Sequence, residues 1–226
     1  VRGRGRLLVF EGAEGVGKTT QVTRLVARIA GSGVACEHYR EPGGTPLGDA
    51  VRALLLDPAG DVAPRAEALL FMAARAQLGA HVGARLHAGA WVVLDRFFLS
   101  TYAYQIAGRG LPAGEVRAAN ALATAGLVPD LTVLLALDPA VARARMVARG
   151  GLDRMEREDA AFHARVGEAF LSAADPAWQR AFPEVGPVVR VDADGGAAEV
   201  EARVWALLAD RWPETFRPRP ESKYGR

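Results

Sequence analysis

Residues Leu7 to Thr20 read LLVFEGAEGVGKTT, and this stretch decides the fold. Leu7 to Phe10 form an uninterrupted apolar run, which predicts a short buried strand. Gly12-Ala13-Glu14-Gly15-Val16-Gly17-Lys18-Thr19 follows and matches G-x-x-x-x-G-K-[ST] at every defined position. The glycines let the backbone curl until successive N–H groups face one concavity, a shape that suits phosphate oxygens. A helix beginning at the end of the loop adds the positive end of its dipole. Lys18 can reach terminal phosphates, and the Thr19 hydroxyl can ligate magnesium. Val22, Leu25, Val26 and Ile29 then recur at helical spacing, so the loop joins a strand to a helix.

Further strands and helices alternate beyond this unit. Gly31-Ser32-Gly33 stops the first helix, and Val34 to Tyr39 reads as a second strand. A loop, Glu41-Pro42-Gly43-Gly44-Thr45, leads to a helix through Val51 to Leu56 that Pro58 and Gly60 end. Pro64 to His87 predicts a long Ala-rich helix, and Trp91 to Leu94 a third strand ending at Asp95. Leu99 to Ala107 and Pro112 to Ala125 read as helices, and Leu131 to Leu137 as strand four. Pro139 opens another helix, which Gly150 and Gly151 interrupt. A charged loop to Asp159 precedes a helix to Ala174. Val188 to Val191 is strand five, and Val200, Val204, Leu207 and Leu208 mark a closing helix. The expected fold is α/β: a three-layer P-loop NTPase fold with a five-stranded parallel sheet and helices on both faces. Ligands then belong at the carboxyl ends of the strands. Residues 1–212 read as one domain with a lid at about 149–159, and 213–226 as a disordered tail.

Composition narrows the function. The chain has 226 residues, 50% apolar and 24% charged, enough for a sizeable core in a single domain. The net charge of +2 and the lack of a basic run argue against a nucleic-acid partner. No apolar run approaches the ~18 residues of a membrane span, and the basic start Val1 to Arg6 does not read as a signal peptide. The single cysteine, Cys36, suits a reducing compartment, so a cytoplasmic protein is expected.

Asp95 closes a buried strand, so its carboxylate falls at the ligand edge as a second magnesium contact beside Thr19. Arg96 projects into the same crevice. Phe71 and Arg75 are i, i+4 on one helix, an aromatic plate beside a forked donor, suited to a flat heterocycle. Thr101, Tyr104 and Gln105 share a face of another helix and can all hydrogen-bond. Arg40, Arg52 and Arg96 are available for an anionic acceptor. A guanine-reading Asn-Lys-x-Asp is absent, which disfavours a GTPase switch. The four histidines show no ligand spacing, which disfavours a metal-dependent hydrolase.

EGAEGVGKTT, REPGGTPLG, LLFMAARAQL, DRFFLSTYAYQIAGRGL, PDLTVLLALDP and RARMVARGGLDRMERE together resemble thymidylate kinases of the bacterial type with lid arginines, from Leu7 to about Leu208. The resemblance implies transfer of the γ-phosphoryl group of ATP to dTMP, giving ADP and dTDP for dTTP biosynthesis, with magnesium. The alternative is a P-loop kinase for another nucleoside monophosphate or small metabolite. It further implies that the loop Gly12 to Thr20 (Gly12, Ala13, Glu14, Gly15, Val16, Gly17, Lys18, Thr19, Thr20) holds ATP. Glu14 would face the deoxyribose 3′-hydroxyl. Phe71 would stack on thymine, Arg75 would bond its O4, and Thr101 and Gln105 would complete the base pocket. Tyr104 would sit against C2′, and Arg96, Arg52 and Arg40 would bind the acceptor phosphate. Lid arginines Arg149 and Arg154, with Arg157 nearby, would reach the transferred phosphoryl. The catalytic set is then Lys18, Arg96, Arg149 and Arg154. The family is usually dimeric. Some members carry an arginine inside the P-loop where Gly15 stands here, so the charge must come from the lid. An acidic residue common in strand four is replaced by Ala136, and no role is assigned to Asp138. The loop Asp192 to Gly196 is expected near adenine.

Overall fold

The computed structural model describes residues 4–216. Five strands, β1 (Leu7–Glu11), β2 (Cys36–Arg40), β3 (Trp91–Asp95), β4 (Leu131–Ala136) and β5 (Val188–Asp192), form one parallel sheet in the order β2-β3-β1-β4-β5. Alternation along β1 sends Leu7 and Val9 to one face and Leu8 and Phe10 to the other, and each pair enters a separate core. Both faces are covered, which is why the central strands read as unbroken apolar runs.

One face packs against α3 (Pro64–His87), α4 (Phe98–Thr101), α5 (Ala113–Thr124) and α7 (Ala160–Ser172). The other packs against α1 (Lys18–Gly31), α6 (Pro139–Arg149) and α9 (Ala197–Arg211). The remaining helices are α2 (Pro46–Leu56), α8 (Pro176–Ala181) and α10 (Pro213–Phe216). Starts follow local chemistry. Thr45 accepts from Gly48 N, with Pro46 in the first turn. Asp138 accepts from Ala140 N and Val141 N, so this carboxylate caps α6. Asp159 caps α7 in the same way through Phe162 N. Helix α1 starts from Gly17 at φ 92° with no side-chain cap, leaving its first N–H groups turned into the loop.

Three expectations need correction. The segment Leu99 to Ala107 is not one α-helix: after α4, residues Tyr102–Gly108 wind as a π-helix. A π turn carries one more residue than an α turn, so Thr101, Tyr104 and Gln105 reach one wall by a different route than i, i+3, i+4 spacing. The helix expected to run to Ala174 ends at Ser172, and α8 begins after Asp175 caps it. The disorder expected from residue 213 does not hold for its first four residues. Pro213–Phe216 is helical, and Phe216 is buried with its ring 5.0 Å from both Trp91 and Trp205. Residues 217–226 of that expected tail, like Val1 to Gly3 of the basic start, lie outside the described residues. Among the described residues no helix is long and apolar enough to cross a membrane.

Candidate active site

A cleft of about 700 Å³ opens at the carboxyl ends of β1, β2 and β3. Its floor is the loop after β1. Gly12 at φ 138° comes so close to β4 that a Cβ would lie 2.5 Å from Leu135 O. A Cβ on Gly15, at φ 76°, would lie 2.2 Å from Ala142 O of α6. An arginine at that position is therefore excluded by backbone. Val16 anchors the loop in the core beneath, while Thr20 lines the cleft. Lys18 folds back over the loop and donates to Gly12 O (3.1 Å) and Ala13 O (2.6 Å). Burial and the neighbouring Arg96 push Lys18 down to about 8, against the pull of Glu14 and Asp95.

Thr19 Oγ1 donates to Asp95 Oδ2 at 2.6 Å. Two hard oxygen ligands therefore sit together at the loop. No group of three or more His, Cys, Asp or Glu side chains positioned to hold a metal occurs among the described residues. That donor set fits magnesium, which keeps waters and substrate phosphates as ligands rather than filling a protein cage.

Arg96 follows Asp95 at φ 75°, a strained conformation for a non-glycine residue. Buried Glu11 holds the turn by accepting from Phe97 N (2.8 Å), Ser100 N (3.0 Å) and Ser100 Oγ (2.6 Å). The guanidinium donates to Gly12 O (3.1 Å), Ser100 Oγ (2.8 Å) and Glu14 Oε1 (2.5 Å). Tyr104 OH also donates to Glu14 Oε1, at 3.1 Å. Burial would raise the Glu14 pKa, but Arg96 and Lys18 outweigh it and hold the carboxyl at about 2. Arg40 and Arg52 complete this cationic end. Burial and then Arg40 lower the Arg52 pKa, so like charges converge here. Such a cluster suits a dianion.

The far end of the cleft carries the aromatic Phe71. Phe71 and Arg75 share one face of α3, opposite Thr101, Tyr104 and Gln105. Arg75 is 1% exposed. Its Nε and NH2 donate to Glu41 Oε2 (2.8 and 2.7 Å), and NH1 donates to Thr101 Oγ1 (3.0 Å) and Asn120 Oδ1 (3.1 Å). The fork is rigid, with four of its five N–H groups committed and one left over.

The lid segment separates its arginines. Arg149 lines the cleft, with its side chain 57% exposed and paired to Glu156. Arg154 does not line it. This arginine donates to Glu67 Oε2 (2.6 Å) and Leu55 O (2.9 Å). Arg157 turns back to Leu152 O. The loop after β5 lies beside α1, where Gln21 Nε2 donates to Ala197 O at 2.9 Å.

The chain matches the thymidylate kinase family model over residues 10–182. It belongs to the thymidylate kinase family. A thymidylate kinase of Deinococcus radiodurans is 45% identical over 209 residues, 92% of this chain and 98% of the relative. One from a Synechococcus strain is 47% identical over 211 residues, covering 91% and 95%. One from Carboxydothermus hydrogenoformans is 47% identical over 175 residues, covering 76% and 85%.

Sequence reasoning found Glu14 and Asp95 but missed three supporting carboxylates. Glu11, Glu41 and Glu67 hold Arg96, Arg75 and Arg154, and each is buried. Glu67 alone carried a readable signal, because it precedes Phe71 and Arg75 at i, i+4, i+8.

Proposed function

We propose that this member of the thymidylate kinase family transfers the γ-phosphoryl group of ATP to dTMP, giving ADP and dTDP for dTTP biosynthesis. The observation that carries the reading is Arg96. It lies between the phosphate loop and the flat base pocket, fixed by Glu11 below and held charged by Glu14.

Lys18 leaves the carbonyls of Gly12 and Ala13 for the β- and γ-phosphates. Magnesium held by Thr19 and Asp95 would neutralise phosphate charge there. Thymine stacks on Phe71, with O4 on Arg75 and Thr101 and Gln105 completing the pocket. The acceptor phosphate enters the Arg40, Arg52 and Arg96 cluster, replacing the Glu14 carboxylate as partner of Arg96. Glu14 is then released toward the 3′-hydroxyl. A phosphate monoester has a second pKa near ~6, so the acceptor is mostly a dianion and needs no general base. An acceptor oxygen attacks the γ-phosphorus, and the bond to the β,γ-bridging oxygen breaks as ADP leaves. Lys18 and Arg96 offset the charge repulsion, and Arg149, exposed at the cleft, exchanges Glu156 for the transferring group. Arg154 is committed to Glu67 instead. The loop Asp192 to Gly196 lies near adenine.

The same reading takes the enzyme to be a cytoplasmic homodimer with no nucleic-acid or membrane partner. Exposed Leu69 and Leu122, on the packed helices α3 and α5, support a subunit contact.

The test is ADP release from ATP and magnesium, acceptor by acceptor. Fast turnover is expected with dTMP and little with its ribose counterpart, dCMP or AMP. Turnover with another acceptor and none with dTMP would discard the base pocket while keeping the phosphate-loop chemistry.

A further inference from the structure

Glu67 lies in the first turn of α3 with no exposed surface, in a place where burying a carboxylate is costly. Its two oxygens receive four hydrogen bonds from three side chains. Gln105 Nε2 donates to Oε1 at 2.8 Å, and Arg109 Nε to the same oxygen at 3.1 Å. Arg109 NH2 donates to Oε2 at 2.9 Å, and Arg154 NH2 to it at 2.6 Å. Arg109 is also paired, at 2.6 Å, with Glu158 of the lid segment. Two arginines thus face two glutamates, and neither sign is left uncompensated. The donors come from two places. Gln105 and Arg109 belong to the π-helical wall of the base pocket and its end, while Arg154 belongs to the lid.

The carboxylate also sets an orientation. An amide can turn either its NH2 or its carbonyl toward a neighbour, but a carboxylate accepts only the NH2. With one Nε2 proton held by Glu67 the amide cannot flip, so besides its second Nε2 proton Gln105 presents a ligand with its carbonyl oxygen. That is an acceptor suited to the imide N–H of a uracil-type base and unsuited to the ring nitrogen of cytosine. One turn further along the same face of α3 stands Phe71, and one more turn on stands Arg75. A single helix face therefore carries the lid anchor, the base platform and the base-reading fork.

We propose that Glu67 is a positioning residue that couples acceptor recognition to the lid. It fixes the Gln105 amide in the base-reading orientation, and it holds Arg154 so that the lid docks against the same wall. The inference rests on the kinase reading above. Its consequence is suppression of transfer to water, in which a water oxygen attacks the γ-phosphorus and ADP and phosphate are released. A lid anchored to the base pocket closes over the phosphates in register with the acceptor, excluding water.

The experiment compares the whole enzyme with its Glu67→Gln and Arg154→Gln variants. It reads KM for dTMP, KM for ATP, kcat, and ADP release without acceptor, after circular dichroism and thermal melting have confirmed folding. Glu67→Gln is expected to raise KM for dTMP about tenfold or more, with KM for ATP changed less than about twofold. The ratio of acceptor-free to dTMP-dependent ADP release should rise by about tenfold. Arg154→Gln should raise that ratio while leaving KM for dTMP within about threefold, because the Gln105 contact survives. A Glu67→Gln enzyme that melts earlier but keeps the parent KM and the parent ratio would overturn the proposal. Should Glu67→Gln fail to fold, Arg154→Gln still decides: an unchanged ratio in that variant would overturn the coupling. Failure of the kinase reading itself would look different, since the parent enzyme would then show no dTMP-dependent turnover.

Discussion

The donor wall of the cleft comes from one unbroken stretch, Gly12 to Thr20, whereas the acceptor wall draws Arg52, Phe71, Arg96 and Gln105 from separate elements. The donor wall is mainly backbone: curled N–H groups, an uncapped helix start and glycines pressed against β4 and α6. The acceptor wall is mainly side-chain charge. Its arginines Arg75 and Arg96 are held by Glu11, Glu14 and Glu41. Backbone geometry forms with the fold and needs no partner. A convergent set of guanidinium groups would repel itself, so the fold supplies carboxylates to hold it. Donor binding should therefore respond to loop shape and to one titrating lysine. Acceptor binding should respond to single charges.

The largest expected effect lies on the acceptor side. Arg96→Ala removes the guanidinium between the phosphate loop and the base pocket and leaves Glu14 with Tyr104, Lys18 and the more distant Arg149. Its kcat/KM for dTMP should fall by about 10² to 10³, the range for losing one donor to developing charge. Affinity for ATP, measured by calorimetry, should change by less than about threefold, because loop backbone and Lys18 remain. An equal loss of ATP affinity would break the separation between the two walls.

A middle-sized effect isolates the donor side. Lys18 titrates at about 8 in the free enzyme, pushed down by burial and Arg96. Bound phosphate favours the ammonium form, so ATP binding takes up a proton once the pH exceeds that value. Affinity for ATP should be flat below about pH 8 and weaken about tenfold per unit above it. Affinity for dTMP should stay flat over the same range. Its phosphate is already a dianion above about pH 7, and arginines keep their charge beyond about pH 12. Titration calorimetry with each ligand between about pH 7 and pH 9.5 measures both curves. Parallel curves would mean that one ionisation governs both walls.

The same contrast explains what was legible beforehand. All five strands and the long helix could be read, because buried parallel strands are apolar runs and because Gly and Pro punctuate this chain. The phosphate loop could be read because its chemistry is contiguous. Asp95 and Arg96 could be read as the end of a buried strand. Glu41 and Glu67 could not be assigned roles, because their partners lie 34 and 87 residues away in sequence. Arg154 illustrates the cost of that blindness. Read as one of several lid arginines, it points to phosphate; with Glu67 in view, it points to the base-pocket wall. The π-helical turn was also invisible, since Tyr102 to Gly108 carries no residue that forbids an α-helix.

The smallest effect tests the seam between the two walls. Tyr104 OH donates to Glu14, a residue of the donor loop, while its ring packs near Phe162 and Phe170 on the acceptor side. Tyr104→Phe keeps the ring and deletes the hydroxyl. A net hydrogen bond contributes about 0.5–1.5 kcal/mol, so kcat/KM for dTMP should fall between about two- and tenfold. Preference for deoxyribose over ribose should survive if, as the family resemblance implies, the ring rather than the hydroxyl fills the space beside C2′. Side-by-side rates with dTMP and its ribose counterpart measure this. If the preference collapsed while the rate with dTMP held, the hydroxyl would be reading the sugar directly, and the donor loop would reach into acceptor selection through Glu14. The two walls would then share one recognition element rather than meet at an edge.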